Sequence, residues 1–339
     1  MKRFPHLNGR AEKLAEECGL DPDVAEWLAV VALHSGCFLR SQYRDYSNLE
    51  YAHARKVAER LVGSFTKRKL AVEMTDKDLG LLCRVTSKKV YRVLGSADGS
   101  HRHRRLTEPP YKYRRLLSLD YVLDYPELPW LPTEEEKLAS FGRLGVPRTD
   151  LPFREYRGAD NVGRTRRYFA NKHPIAVDPE AKTAVFVYAD SSEPNTKGLR
   201  SWRNEHAPLW AALYRQGFRL KIVHAGRDEK LARSVRNVFD GWSGDAASER
   251  EIVRMRRDLR RLERALKDND EQVLDEYGGF TRAFRTAAEL QGRLKRKVEV
   301  SGYKADYDVW LSSRIPAKGE WRNLLGPRHA EVQEADEEE

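Results

Sequence analysis

From Cys37 to Gly95 the spacing of apolar positions changes three times. Leu39 to Tyr46 predicts a short helix. Asn48 follows where a helix N-cap belongs, with a side chain able to accept from a first-turn N–H. Beyond it Ala54, Val57, Ala58, Leu61 and Phe65 recur at three- and four-residue spacing. That period predicts a longer helix over Leu49–Lys67 with one apolar face. Tyr51, His53, Arg55, Lys56 and Arg60 fall mostly on its other faces. Leu70–Met74 and Leu81–Thr86 then read as strands joined by the turn residues Thr75 to Asp78, and Ser87–Leu94 as a short closing helix. Upstream, Val24–Ser35 supplies one more helix.

Further along, Tyr113, Leu116, Leu117, Asp120, Tyr121 and Leu123 fall at helical spacing between Pro110 and Pro126. Thr133 precedes Glu134, Glu135 and Glu136, so carboxylates sit at the start of a second helix, which ends near Gly145. Phe153–Tyr156 and Arg166–Phe169 read as strands. Pro174–Asp178 and Thr183–Tyr188 read as a hairpin, Leu199–Gln216 as a helix closed by Gly217, Phe218–His224 as a strand and Arg227–Phe239 as a helix. From Ser248 to Glu276 the apolar positions Ile252, Met255, Leu259, Leu262, Leu266 and Val273 repeat in a heptad-like way, with Asn269 in phase. Ser248 and Glu251 have the spacing of a capping box. Gly278-Gly279 breaks this helix, and Phe280, Phe284, Ala287, Leu294 and Val298 continue in a second one. The pair makes an antiparallel helical hairpin, before a returning strand at Tyr307–Leu311 and a packed turn around Trp321, Leu324 and Leu325.

These elements give an α+β chain. Helix, helix, helix, hairpin is the order of a winged helix-turn-helix, assigned to residues 1–96. A basic linker and helical connector covers 97–150. A mixed α/β domain covers 151–245 with 301–328, and the coiled-coil-like hairpin, 246–300, is inserted into it. An acidic tail, 329–339, closes the chain and is expected to be disordered.

Charge then narrows the reading. The chain of 339 residues carries 62 Lys and Arg against 52 Asp and Glu, a net of +10. Residues 1–115 hold 23 of the former and 14 of the latter, so a net of +9 lies in the segment with the expected winged helix. A polyanion is the partner such a surface fits. In that arrangement the second helix of the motif enters the major groove of duplex DNA and the hairpin touches the backbone beside it. The candidate contacts are Arg40, Tyr51, His53, Arg55, Lys56 and Arg60, then Lys67, Arg68, Lys69, Lys77, Lys88 and Lys89 for phosphates, and Arg102, Arg104 and Arg105 in the linker. The hairpin over 246–300 is expected to hold a protein partner or a second copy. Three widely spaced cysteines, Cys18, Cys37 and Cys83, offer neither a disulfide framework nor a metal site and point to a reducing cytoplasm. No apolar run reaches membrane-spanning length, and no cofactor motif occurs.

The stretch YRRLLSLDYVLDYPELPWLPTEEEKLASFGRLGV, between the winged-helix pattern and the α/β pattern, resembles the replication-relaxation group of winged-helix proteins, encoded near mobilisation and replication genes on plasmids and integrative elements. The likeness covers about residues 20–240. It implies a non-catalytic, sequence-specific DNA-binding protein of a mobile element, a transcriptional regulator or a mobilisation and replication accessory factor.

Two other readings fit parts of the chain. The α/β region also suggests a restriction-endonuclease-like sheet, whose metal site needs an Asp, then an acidic residue and a Lys two apart. Here Asp178 is followed by Val187-Tyr188-Ala189 at those positions, with Asp190, Glu205 and Lys221 nearby but wrongly spaced. The expectation is a sheet of that kind with a degenerate site; an active Mg²⁺-dependent nuclease is the alternative. A protein-interaction adaptor is the other. His173, His206 and His224 are expected to be structural.

Overall fold

The computed structural model describes residues 4–7, 9–47, 51–76, 79–96, 109–157, 164–189, 196–243, 245–301 and 303–315. Among them are twelve α-helices and nine strands in three sheets, a mixed α and β architecture.

The N-terminal part runs α1 (Arg10–Cys18), α2 (Pro22–His34), β1 (Cys37–Leu39), α3 (Arg40–Ser47), α4 (Tyr51–Lys67), β2 (Ala71–Asp76), β3 (Gly80–Val85) and α5 (Lys88–Val93). α2 is apolar nearly all round, and Trp27, Leu28, Val30 and Val31 are fully buried at its centre. Around it pack α1, α3, α4 and α5. α4 contributes Ala58, Leu61, Val62 and Phe65, all buried, at the spacing its sequence announces. Ser87 caps α5, its hydroxyl accepting from Val90 N at 3.4 Å.

Two elements here were not read from the sequence. β1 is a third strand: it pairs antiparallel with β3, Cys37 opposite Arg84 and Leu39 opposite Leu82, giving the order β1-β3-β2. Its three residues are all buried, so no alternation marks it. α1 is short and mostly polar, and it ends at Gly19 in the left-handed region, φ 58°. Asn48, the expected cap of α4, lies outside the described residues, as do 97–108, the turn around Trp321 and the acidic tail.

α6 (Pro109–Asp124) joins this part to the rest. Tyr121, Val122 and Leu123 share one apolar cluster with α2 and with Val185, Val187, Val223 and Ala225 of the larger sheet. Tyr113, Leu116 and Leu117 pack with Cys37, Leu39, Leu79 and Leu82 of the three-stranded sheet. α7 (Glu134–Arg143) starts with the expected carboxylates, and Thr133 and Glu136 form a capping box: Glu136 N donates to Thr133 Oγ1 at 3.1 Å, and Thr133 N donates back to Glu136 at 2.9 Å.

β4 (Phe153–Arg157) and β5 (Arg164–Tyr168) form a separate antiparallel ribbon. β6 (Ile175–Asp178), β7 (Thr183–Ala189), β8 (Arg219–Gly226) and β9 (Ala305–Leu311) form the larger sheet in that order, β6 antiparallel to β7 and the other three parallel. α6 covers one face. The other face carries Ala184, Phe186 and Ile222, covered by Trp202 and Trp210 of α8 (Lys197–Arg215) and Val235 and Phe239 of α9 (Glu229–Ser243).

Between β8 and β9 the chain makes α10 (Asp245–Asp268), α11 (Glu271–Glu276) and α12 (Phe280–Ser301). Three expectations are corrected here. Ser248 lies inside α10, which begins at Asp245, so it is no N-cap. Asn269 does not sit in an apolar seam: it is exposed at φ 50°, in the break before α11, a left-handed position that Asn tolerates. Asp270 caps α11 instead. Phe280 and Phe284 are exposed, at 53% and 63%, while the seam is made by Ala283 and Ala287 against Leu259, Leu262 and Ala265. Small residues let the two helices approach closely there; Phe284, one position beyond Ala283, and Phe280, at the start of α12, turn outward.

Candidate nucleic-acid interface

α4 presents one polar face to solvent for most of its length. His53, Lys56 and Arg60 are exposed at spacings of three and four, opposite the buried Ala58, Leu61, Val62 and Phe65. None of the three makes an ion pair among the described residues. Arg55, also exposed, pairs with Glu59 one turn on at 3.3 Å. Tyr51 begins α4, but its side chain lies outside the description. At the C-terminal end Lys67 and Lys69 are exposed and without an ion-pair partner among the described residues. Lys69 takes the left-handed conformation, φ 56°, that ends the helix.

Other candidates carry structural bonds. Arg40 is half-buried, and its Nε and Nη2 both donate to Glu73 Oε1, at 3.0 and 2.7 Å. Its Nη1 lies 3.5 Å from Glu59. Arg68 turns back to the end of α1, where Nη1 donates to Cys18 O at 3.2 Å and Gly19 O at 2.5 Å. A cation there satisfies carbonyls that the helix leaves unpaired. Lys89 does the same at Glu17, donating to its carbonyl and standing 3.6 Å from its carboxylate. Lys88 is exposed beside it. Lys77, Arg102, Arg104 and Arg105 lie outside the described residues.

The β2–β3 hairpin is held at its far end. Asp76 is ion-paired with Lys112 of α6, and Leu79 packs beside Tyr113. Val72 and Met74 of β2 and Leu81 of β3 are exposed on the hairpin. α3 is fixed in turn by a polar joint. Gln42 accepts from Leu39 N at 3.0 Å and donates to Leu116 O at 3.0 Å and to Asp120 at 3.1 Å. Arg314, just past β9, donates to Asp45 at 2.9 Å and to Asp124 at 2.7 Å and stands 3.5 Å from Asp120. The sequence reading missed this joint, because its partners are far apart in the chain.

The carboxylates considered for cleavage have other partners. Asp178 closes the β6–β7 turn by accepting from Glu180 N and Ala181 N, at 3.0 and 2.9 Å. Glu205 accepts from Ser201 and faces Arg154, and Lys221 pairs with Asp308 at 3.1 Å. Asp190 lies outside the described residues. Among the described residues no group of three or more His, Cys, Asp or Glu is placed to hold a metal. His173 accepts from Ala189 N at 3.2 Å, and His206 donates to Trp202 O at 2.8 Å. Burial lowers His206 to about 3, so it stays neutral. His224 is buried against Tyr188.

Among the described residues no helix is long and apolar enough to cross a membrane. No family model matches the chain, and no curated protein or solved structure matches it.

Proposed function

We propose that this chain binds duplex DNA through a winged helix-turn-helix over residues 22–94, with α4 as the helix that enters the major groove. What supports the order is α2, β1, α3, α4, β2, β3, with β1 paired to β3. The single observation that carries the binding is the face of α4. Its apolar side is sealed in the core, and His53, Lys56 and Arg60 point outward without protein partners among the described residues. A cationic face left open on a buried helix gains most from phosphates, which release counterions when neutralised. Lys67, Lys69 and Lys88 extend that surface to the backbone; Arg68, Lys89 and Arg40 support the elements that hold it.

On this reading the protein is non-catalytic and cytoplasmic. It serves a mobile element as a transcriptional regulator or as a mobilisation and replication accessory factor, in line with the resemblance to the replication-relaxation group. The larger sheet acts as a scaffold of restriction-endonuclease-like kind without a cleavage site, consistent with Val187, Tyr188 and Ala189 standing where Glu-x-Lys is required.

The test is duplex affinity against salt concentration. Substituting Lys56 and Arg60 by Ala should weaken binding roughly tenfold at 0.1 M salt and flatten the log–log slope by about 1 to 2. A double variant with wild-type slope and affinity refutes the assignment of α4. A second reading, an adaptor that docks a protein or a second copy on the hairpin, is favoured by the exposed Phe280 and Phe284. Failure of the wild-type protein to bind duplex DNA, together with self-association lost on Phe284→Ser, would select it.

A further inference from the structure

α10 has a second basic surface, on a different element from α4. It buries Leu259, Leu262 and Ala265 against α12, and its opposite side lines a groove of about 730 Å³ with Val253, Arg256, Arg257, Arg260, Arg261 and Arg264. Two of these arginines are occupied. Arg257 lies 3.6 Å from Asp258, and Arg261 donates to both oxygens of Glu276 at 2.9 Å. Arg256, Arg260 and Arg264 are exposed and make no ion pair among the described residues.

Those three stand four residues apart, one above another on the helix, roughly 6 Å between neighbours. Like charges at that spacing oppose helix formation. Glu263 and Asp268 offset part of this repulsion, and an anion over the row would relieve the rest. The choice of cation is also informative. α10 carries seven arginines and one lysine, Lys267. A guanidinium presents a planar fork that matches phosphate bidentately, which an ammonium does not. Asp268 and Asp270 close one end of the groove; its apolar lining is Val253, Ala265 and Val273, and among the described residues no aromatic side chain lines it. A protein partner is held mainly by buried aromatic and aliphatic anchors. A row of guanidinium groups over a shallow apolar floor fits a repeating phosphodiester backbone better.

We propose that Arg256, Arg260 and Arg264 form a second, sequence-independent contact to the DNA backbone, separate from α4. This rests on the reading of the chain as a duplex-binding protein and adds to it: the hairpin grips DNA rather than only a partner. Contacts of this kind carry affinity and salt dependence and leave base recognition to other elements.

The experiment compares the full chain with three variants on one duplex, across a range of salt. The first changes Arg256, Arg260 and Arg264 to Ala, the best helix former, so α10 is preserved; circular dichroism checks this. The second changes the same three to Lys. The third is the Lys56→Ala, Arg60→Ala variant of α4. The expected result is a slope shallower by about 2 to 3 for the Ala triple and an affinity reduced by at least roughly tenfold at 0.1 M salt. The Lys triple should keep the slope and lose only part of the affinity. If the wild type binds, the α4 variant weakens and the Ala triple is unchanged, this proposal is overturned and the reading of α4 stands. If the triple weakens and the α4 variant does not, the reverse holds. No binding by the wild type overturns both. Tighter binding of the wild type to polyglutamate than to duplex at equal charge concentration, lost in the triple, would assign the row to an acidic protein and overturn the DNA contact.

Discussion

Arg314 Nη1 stands 3.5 Å from Oδ1 of Asp120, a carboxylate with no exposed surface. The two lie 194 residues apart and join the end of the larger sheet to α6. The same guanidinium reaches Asp45 of α3, so the helix preceding α4 is tied to the C-terminal segment of the fold. Burial raises the Asp120 carboxyl to about 6, against the pull of Arg314 and the bonds from Ser312 and Gln42. Desolvation therefore outweighs attraction at this site.

Arg314→Ala should cost about 3–5 kcal/mol near pH 7, because it leaves a buried charge without its cation. A carboxyl whose folded value is raised favours the folded state most at low pH and loses that contribution as pH rises through 6. The penalty of the substitution should therefore shrink as the solution is acidified and Asp120 protonates. Urea midpoints of wild type and variant at pH 7.5 and pH 5 measure this; a pH-independent difference would show that Asp120 does not bear the loss.

The buried imidazoles of His6 and His34 contact each other, Nε2 to Nε2, at 2.9 Å. One must donate and the other accept, so the two cannot both be charged. Burial first, then Arg10, lowers His6 from 6.5 to about 4, and burial, with help from His6 and Lys137, also holds His34 well below its ordinary value. A depressed histidine stabilises the fold above its unfolded value, and that contribution is lost as pH falls through the folded one. Stability should drop between pH 6.5 and 4, by about 3 kcal/mol for a shift of the size seen at His6. Asp120 works in the opposite sense over part of this range, so the informative quantity is a difference between proteins. Replacing both histidines by Leu should reduce the acid-side loss in thermal melts and leave the part that belongs to His206. A wild-type pH profile in that double variant would contradict the assignment.

How much of this was legible in the sequence differs by element. α4 could be read because Val57, Ala58, Leu61 and Phe65 repeat on one face, and α7 because Thr133 is followed by three glutamates where a helix start favours carboxylates. β1 could not: Cys37, Phe38 and Leu39 are buried on every side and show no period. In the hairpin, weight placed on large aromatics led to Phe280 and Phe284, whereas close helix packing selected Ala283 and Ala287. The cations of the candidate interface were all visible as residues. Which of them are already held was not, because Arg40, Arg68 and Lys89 find partners 33, 50 and 72 positions away.

Arg68 and its neighbours therefore separate by effect. Arg68→Ala removes the cation at the end of α1 and should lower stability by about 1 kcal/mol while changing the salt slope little. Lys67→Ala with Lys69→Gly should do the reverse. Glycine suits the left-handed position of residue 69, so the fold is unharmed while two exposed charges are lost. Melting temperature and salt slope measured on both proteins decide this; parallel changes in the two quantities would mean that the cluster acts as one unit.

Glu73 offers a gain-of-binding test. Its carboxylate takes two hydrogen bonds from Arg40 and so neutralises a cation next to α4. Glu73→Gln keeps an oxygen that can accept from the guanidinium, which preserves the local geometry, and removes one negative charge from the surface proposed to meet DNA. Affinity for duplex should rise a few-fold at low salt, and the slope should steepen by up to about 1 if Arg40 reaches a phosphate. Arg40→Ala is the counterpart. It leaves Glu73 unpaired and facing the polyanion, so binding should weaken by more than the loss of one phosphate contact alone. If both substitutions shift affinity in the same direction, the pair is a structural brace and the DNA surface lies elsewhere. Opposite shifts that vanish above about 0.5 M salt, where the Debye length falls to a few Å, would place Arg40 and Glu73 at the electrostatic edge of the interface.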